Sequence, residues 1–195
     1  MIKRIETKKD QIKKEKRLQL ILAAILILVL FGSVFGIVVN SFGGSNFPTK
    51  IVTYNNYDFS VENGYYTIEL GISKFYFSNN PNDVESLEKQ VALSREVSSY
   101  TNKEVYVLTG DYSSYSEIVQ NFNQHALRIQ QACKLDEECV DKTLPLKTCE
   151  NNLIIIKEAP ENKIYEEKNC VYIEGKKEEL LKLTDEFLLH EIGIK

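Results

Sequence analysis

From Tyr57 to Ser78 apolar and polar side chains alternate with a period of two, and Asn63-Gly64 stands in the middle of the alternation. Asn and Gly accept the positive φ angles of a type I′ two-residue turn. Such a turn pairs Glu62 with Tyr65 and brings Val61 opposite Tyr66, Phe59 opposite Ile68 and Tyr57 opposite Leu70. All six larger apolar residues then share one face, so turn chemistry and period predict the same hairpin. A third strand is expected over Lys74 to Ser78.

The period then changes. Val84, Leu87, Val91 and Ser94 follow helical spacing behind an Asn82 or Asp83 cap, although Val91, Leu93 and Val97 also permit an extended segment. We read Pro81 to Tyr100 as helix. Glu104 to Leu108 is a short apolar strand closed by Thr109-Gly110. Ser114 to Ala132 places Ile118, Phe122, Ala126 and Ile129 along one stripe, the signature of an amphipathic helix, with Ser113 or Ser114 as its cap. Cys133 to Cys149, containing Pro145, reads as an irregular excursion. Leu153-Ile154-Ile155-Ile156 is a continuous apolar run, as in a strand covered on both faces. Lys163 to Glu166 and Cys170 to Glu174 form the arms of a hairpin. Glu178 to Ile192 reads as a last helix, with Leu180, Leu181, Thr184, Phe187, Leu188 and Ile192 inward and Gly193 as its C-terminal cap. The expected class is α+β (or α/β), a mixed sheet packed by two or three helices.

A different pattern precedes all of this. Leu18 to Val39 is a run of 22 residues whose only polar members are Gln19 and Ser33. As a helix it would cross a hydrocarbon core roughly 30 Å thick. Residues 1–17 carry eight basic side chains against three acids, whereas residues 40–60 hold only Lys50 and Asp58. Basic flanks stay in the cytoplasm during insertion, so the N-terminus is expected inside and the rest outside. A cleaved signal peptide is the rival reading, but its apolar stretch is usually about 7–15 residues. The expected organisation is a basic cytoplasmic tail (1–17), a transmembrane helix (18–39), a flexible tether rich in Gly and Ser (40–48) and an extracytoplasmic domain (49–195). Gly32 and Gly36 form a GxxxG spacing that lets two membrane helices approach closely; the plainer reading is two glycines in an apolar helix. The partner implied by this segment is the lipid bilayer, through residues 18–39.

The anchor exposes a charge asymmetry. Of 24 basic and 28 acidic residues, the part beyond residue 17 keeps 16 and 25, a net charge of −9. That argues against nucleic acid as a partner, since phosphates demand a basic face. With 11 Tyr and 9 Phe the domain has ample core material and is not expected to be disordered.

Cys133, Cys139, Cys149 and Cys170 all follow the apolar run. In an oxidising compartment they are expected as two disulfides. Three pairings exist; the shortest loops select Cys133–Cys139 and Cys149–Cys170. Zinc would want close pairs such as CxxC, and a thiol redox site CxxC or one activated Cys, so neither spacing fits well.

Catalytic and cofactor signatures are thin. Leu108 to Ser114 sits after a strand and before a helix, where α/β proteins place binding loops, but it lacks GxxxxGK[ST], GxGxxG and GxSxG. No DxDxDG calcium loop is present, and no cofactor is expected. His125 is expected in solvent on a helix, and His190 near a helix C-terminus, where a cation meets the dipole favourably. Glu166-Glu167 and Glu178-Glu179 read as solvated acids.

Pro145-Leu-Lys-Thr-Cys149, the apolar strand after it, the Cys170-Val-Tyr-Ile173 strand ending in Gly, and the final helix ending Gly193-Ile194 together resemble single-pass membrane proteins of archaeal type to which no activity attaches. The resemblance spans about a quarter of the chain. It implies a fold and no chemistry. The expected function is a non-enzymatic binding or organising role at the cell envelope, with another envelope or membrane protein as partner. An envelope hydrolase or transferase, and an accessory subunit acting through its membrane helix, are the alternatives.

Overall fold

A computed structural model of the chain describes residues 16–30, 50–84, 91–137, 139 and 141–195. They belong to two compact units divided after Pro48. In the first, residues 16–30 form helix α1 with its side chains exposed. Among the described residues no helix is long and apolar enough to cross a membrane. Residues 31–39, with Gly32 and Gly36, lie outside the described residues, as do most of the basic tail and the tether.

The second unit opens with an antiparallel meander in chain order, β1 (Ile51–Tyr54), β2 (Tyr57–Glu62), β3 (Tyr65–Leu70) and β4 (Ser73–Phe77). Asn63 and Gly64 have φ of 52° and 88°, and Val61 faces Tyr66 as the turn requires. Asn55 and Asn56, at φ of 46° and 66°, make a second such turn between β1 and β2 that the sequence reading passed over. Phe59, Ile68, Phe75 and Phe77 form the buried face.

After α2 (Pro81–Val84) the chain builds a second sheet from β5 (Val91–Ala92), β6 (Glu104–Thr109), β7 (Arg128–Gln131), β10 (Asn152–Glu158), β11 (Lys163–Glu167) and β12 (Cys170–Gly175). Its order is β5-β11-β12-β10-β6-β7. Strands β12, β10, β6 and β7 run parallel, and β11 is antiparallel to β12. β8 (Cys133–Lys134) and β9 (Leu146–Lys147) make a small separate pair, while α3 (Tyr112–Phe122) and α4 (Leu180–Glu191) supply the long helices of the domain. The class is α+β with a mixed sheet; the meander forms its own sheet rather than joining the larger one.

Two helix assignments change. Val91 lies in β5 beside β11, and residues 97–100 form a 3-10 turn, so the expected helix over Pro81 to Tyr100 is restricted to α2 among the described residues. The extended alternation prevails because β11 offers its backbone edge. α3 ends at Phe122, not Ala132, and Ile129 belongs to β7. Ala126 and Ile129 still pack against the same core as Phe122, which explains why helical spacing fitted them. From Leu127, whose N–H donates to Lys103 O at 2.9 Å, the chain serves the open edge of β6 instead. The cap of α3 is Asp111, which accepts from Ser114 N–H at 2.8 Å; Ser113 and Ser114 lie inside the helix.

The outer edge of β4 is closed by side chains of α3 and of the turn that follows it. Gln124, Asn121 and Glu117 repeat at helical spacing opposite Lys74, Tyr76 and Ser78, which repeat at strand spacing. Asn121 accepts from Tyr76 N–H at 2.8 Å and donates to Tyr76 O at 2.8 Å; Gln124 does the same for Lys74, at 3.2 and 2.8 Å. These amides substitute for a neighbouring strand and remove an edge on which another chain could pair.

The large sheet is buried on both faces by alternation. Val105, Val107, Ile154, Ile156, Val171 and Ile173 share a core with α3, α4 and the meander. Tyr106, Leu153, Ile155, Cys170 and Tyr172 share a second core with Cys149, Leu108 and Tyr165. Lys147 Nζ lies 4.0 Å from the Tyr106 ring centre, Lys134 Nζ 5.8 Å from that of Tyr172, and Tyr165 stacks on Tyr172 at 4.8 Å. The cysteines form disulfides Cys133–Cys139 and Cys149–Cys170, with Cα separations of 5.6 and 4.9 Å, the pairs selected by the shortest loops.

Candidate functional site

Parallel strands that each lead into a helix leave a crevice beyond their carboxyl ends. Here β6 runs into α3, and β10 ends beside it. The crevice has a volume of about 660 Å³, within the range of ordinary ligand sites. Its floor is apolar, made by Leu108, Ala132, Leu144, Ile156 and Leu180. Its rim is charged. Thr109 ends β6, Gly110 and Asp111 come from the β6–α3 loop, Lys157 and Glu158 from the end of β10, Glu137 and Asp141 from the excursion, and Lys177 from the turn before α4. Cys133 also lines it, so the smaller disulfide closes the loop that carries Glu137.

The rim charges differ in how they are met. Lys157 pairs with Glu174 at 3.3 Å, Lys177 with Glu158 at 4.0 Å and Glu137 with Lys134 at 3.4 Å. Asp111 instead accepts from the Ser114 N–H, and Asp141 from the Thr143 N–H at 2.9 Å and hydroxyl at 2.7 Å. The Thr143 hydroxyl and N–H hold the Asp141 carboxyl below the usual carboxylate range, so it stays ionised.

The segment from Leu108 to Ser114 was legible as a strand-to-helix connection from the order of elements. Its partners across the crevice were not, because they reach it only through the parallel return of β10. Chemically the site offers apolar surface, four carboxylates, the Thr109 hydroxyl and two lysines paired with carboxylates. Cys133 is in a disulfide, and both histidines lie elsewhere. His125 is in the turn after α3, where it stacks on Phe75 at 5.7 Å, and burial lowers its pKa. His190 is half-buried near the end of α4, and burial followed by the Lys195 charge lowers its pKa, which disfavours the cation expected at the helix end. Among the described residues no three His, Cys, Asp or Glu side chains converge as metal ligands.

Four carboxylates outside the crevice tie elements of the fold together. Glu166 is not a solvated acid: Ser94 donates to it through N–H and hydroxyl, and Arg95 pairs with it at 3.0 Å. Burial alone would raise its pKa, but these partners outweigh it and hold it low. Glu179 accepts from Asn162 at 2.9 Å. Asp185 on α4 accepts both N–H groups of Asn79, and Glu117 on α3 accepts the Ser78 N–H and hydroxyl. Burial first, then the Glu117 charge, raises Asp185 well above the usual carboxylate range. These two acids anchor the end of β4 to the helix pair.

No known protein family, curated protein or solved structure matches the chain. The fold is a disulfide-bearing α+β domain with a crevice beyond the carboxyl ends of its parallel strands.

Proposed function

We propose that the chain is a membrane-anchored extracytoplasmic domain with a non-enzymatic binding or organising role at the cell envelope. Residues 18–39 hold it in the bilayer with the N-terminus in the cytoplasm. The observation that carries this reading is the pairing of all four cysteines into two disulfides, which persist in oxidising compartments. The basic residues before the apolar run support the orientation. A crevice with an apolar floor and a polar rim supports binding.

Two measurements on intact cells expressing the full chain test this. Protease added outside is expected to digest the domain beyond Asn40, and alkylation without reductant is expected to leave all four cysteines unmodified. Complete protection from the protease, or quantitative alkylation of the native protein, would overturn it.

A further inference from the structure

Resting on the binding reading above, we propose that the crevice beyond β6 and β10 docks an extended, lysine- or arginine-bearing segment of a partner protein. The apolar floor of Leu108, Ala132, Ile156 and Leu180 suits the aliphatic stems of such side chains, which bury their methylenes and keep the charged head at the rim. Charge complementarity selects the head group. Both lysines of the rim are already turned to carboxylates of this chain, Lys157 to Glu174 and Lys177 to Glu158. Asp111 and Asp141 meet only uncharged donors and have no ion-pair partner among the described residues. Their charges are therefore open to a cation from outside. An anionic ligand would meet the two rim carboxylates that no lysine offsets, Asp111 and Asp141, since Glu137 and Glu158 are paired with Lys134 and Lys177. A bare metal ion is a poor match for a space of about 660 Å³ in which no three ligands converge among the described residues. A peptide with spaced basic residues matches the charge and brings aliphatic stems to the apolar floor.

The test uses the full chain in a non-ionic detergent and a fluorescent eight-residue peptide alternating lysine and alanine, followed by anisotropy at about 50 mM salt, where screening is modest. Saturable binding is expected, weakened about tenfold in Asp111→Asn/Asp141→Asn, as the loss of two exposed ion pairs predicts. Asn retains the cap on α3 and can still accept from Thr143, so these substitutions remove charge without removing the hydrogen bonds. Asp58→Asn/Glu69→Gln takes the same charge from the meander and is expected to leave binding unchanged. Three results would each overturn the proposal: no binding to the parent chain, equal binding of a glutamate–alanine peptide, or an equal loss in the meander variant. None of them bears on protease accessibility or cysteine alkylation, so the envelope reading stands or falls separately.

Discussion

On one face of the six-stranded sheet, Val105, Val107, Ile154, Ile156, Val171 and Ile173 lie in a core shared with α3 and α4. On the other, Tyr106, Leu153, Ile155 and Tyr172 share a core with Cys149 and Cys170, and lysines of the irregular excursion lie over the tyrosine rings. A helix brings its own repeating apolar stripe and is held by burial. The excursion has no such repeat, and both disulfides begin or end in it. Covalent closure compensates there for burial that the segment cannot supply.

The largest effect is expected on the helix side. Phe187 is fully buried and stacks on Phe122 at 6.1 Å. Phe187→Ala should cost about 3–5 kcal/mol, from lost transfer energy and the cavity left behind, measured by denaturant unfolding of the full chain in detergent. On the opposite face, replacing Cys149 and Cys170 by Ser should cost about 3.5 kcal/mol and replacing Cys133 and Cys139 about 2 kcal/mol on the loop-entropy model. Should the Cys133–Cys139 pair cost more than Phe187→Ala, burial would not be the stronger fastening and the contrast would invert.

The smallest effect sharpens the comparison, because the helix face is not wholly apolar. Glu191 is fully buried near the end of α4, and neither of its carboxyl oxygens has a hydrogen-bond partner among the described residues. Burial pushes its pKa up to about 8 from 4.5, with the Arg95 charge opposing and those of Glu166 and Glu96 adding to it. The folded chain therefore keeps a proton that the unfolded chain has released between those two values. Stability must fall as pH rises through that window, by up to about 1.4 kcal/mol per pH unit. Between pH 6 and pH 8 the parent chain should lose about 2 kcal/mol relative to Glu191→Gln, read as the pH dependence of the unfolding free-energy difference. Parallel curves for the two proteins would place Glu191 in a hydrated, ionised setting instead.

What could be read from the chain follows the range of the forces involved. The Asn63-Gly64 hairpin was legible because the turn residues and the period-2 pattern are local and agree. So was β10: four consecutive buried residues, Leu153 to Ile156, announce a strand flanked and covered on all sides. The extent of α3 was not legible. Ala126 and Ile129 meet the same core whether helical or extended, and the vacant edge of β6, a non-local backbone partner, decides between them. The candidate crevice divides the same way, its β6–α3 loop visible in the order of elements and its remaining rim only in the parallel return of β10.

By itself the sequence determined the meander's turn, the central strand, the shortest cysteine loops and the split between a basic start and an acidic remainder. Tertiary structure alone decided which acids are buried and which line the crevice. Glu117, Asp185 and Glu191 look like any solvated helix carboxylates along the chain. Their environment is set by the helices and strand ends packed around them, and the desolvation that shifts Asp185 and Glu191 exists only once those surfaces have met.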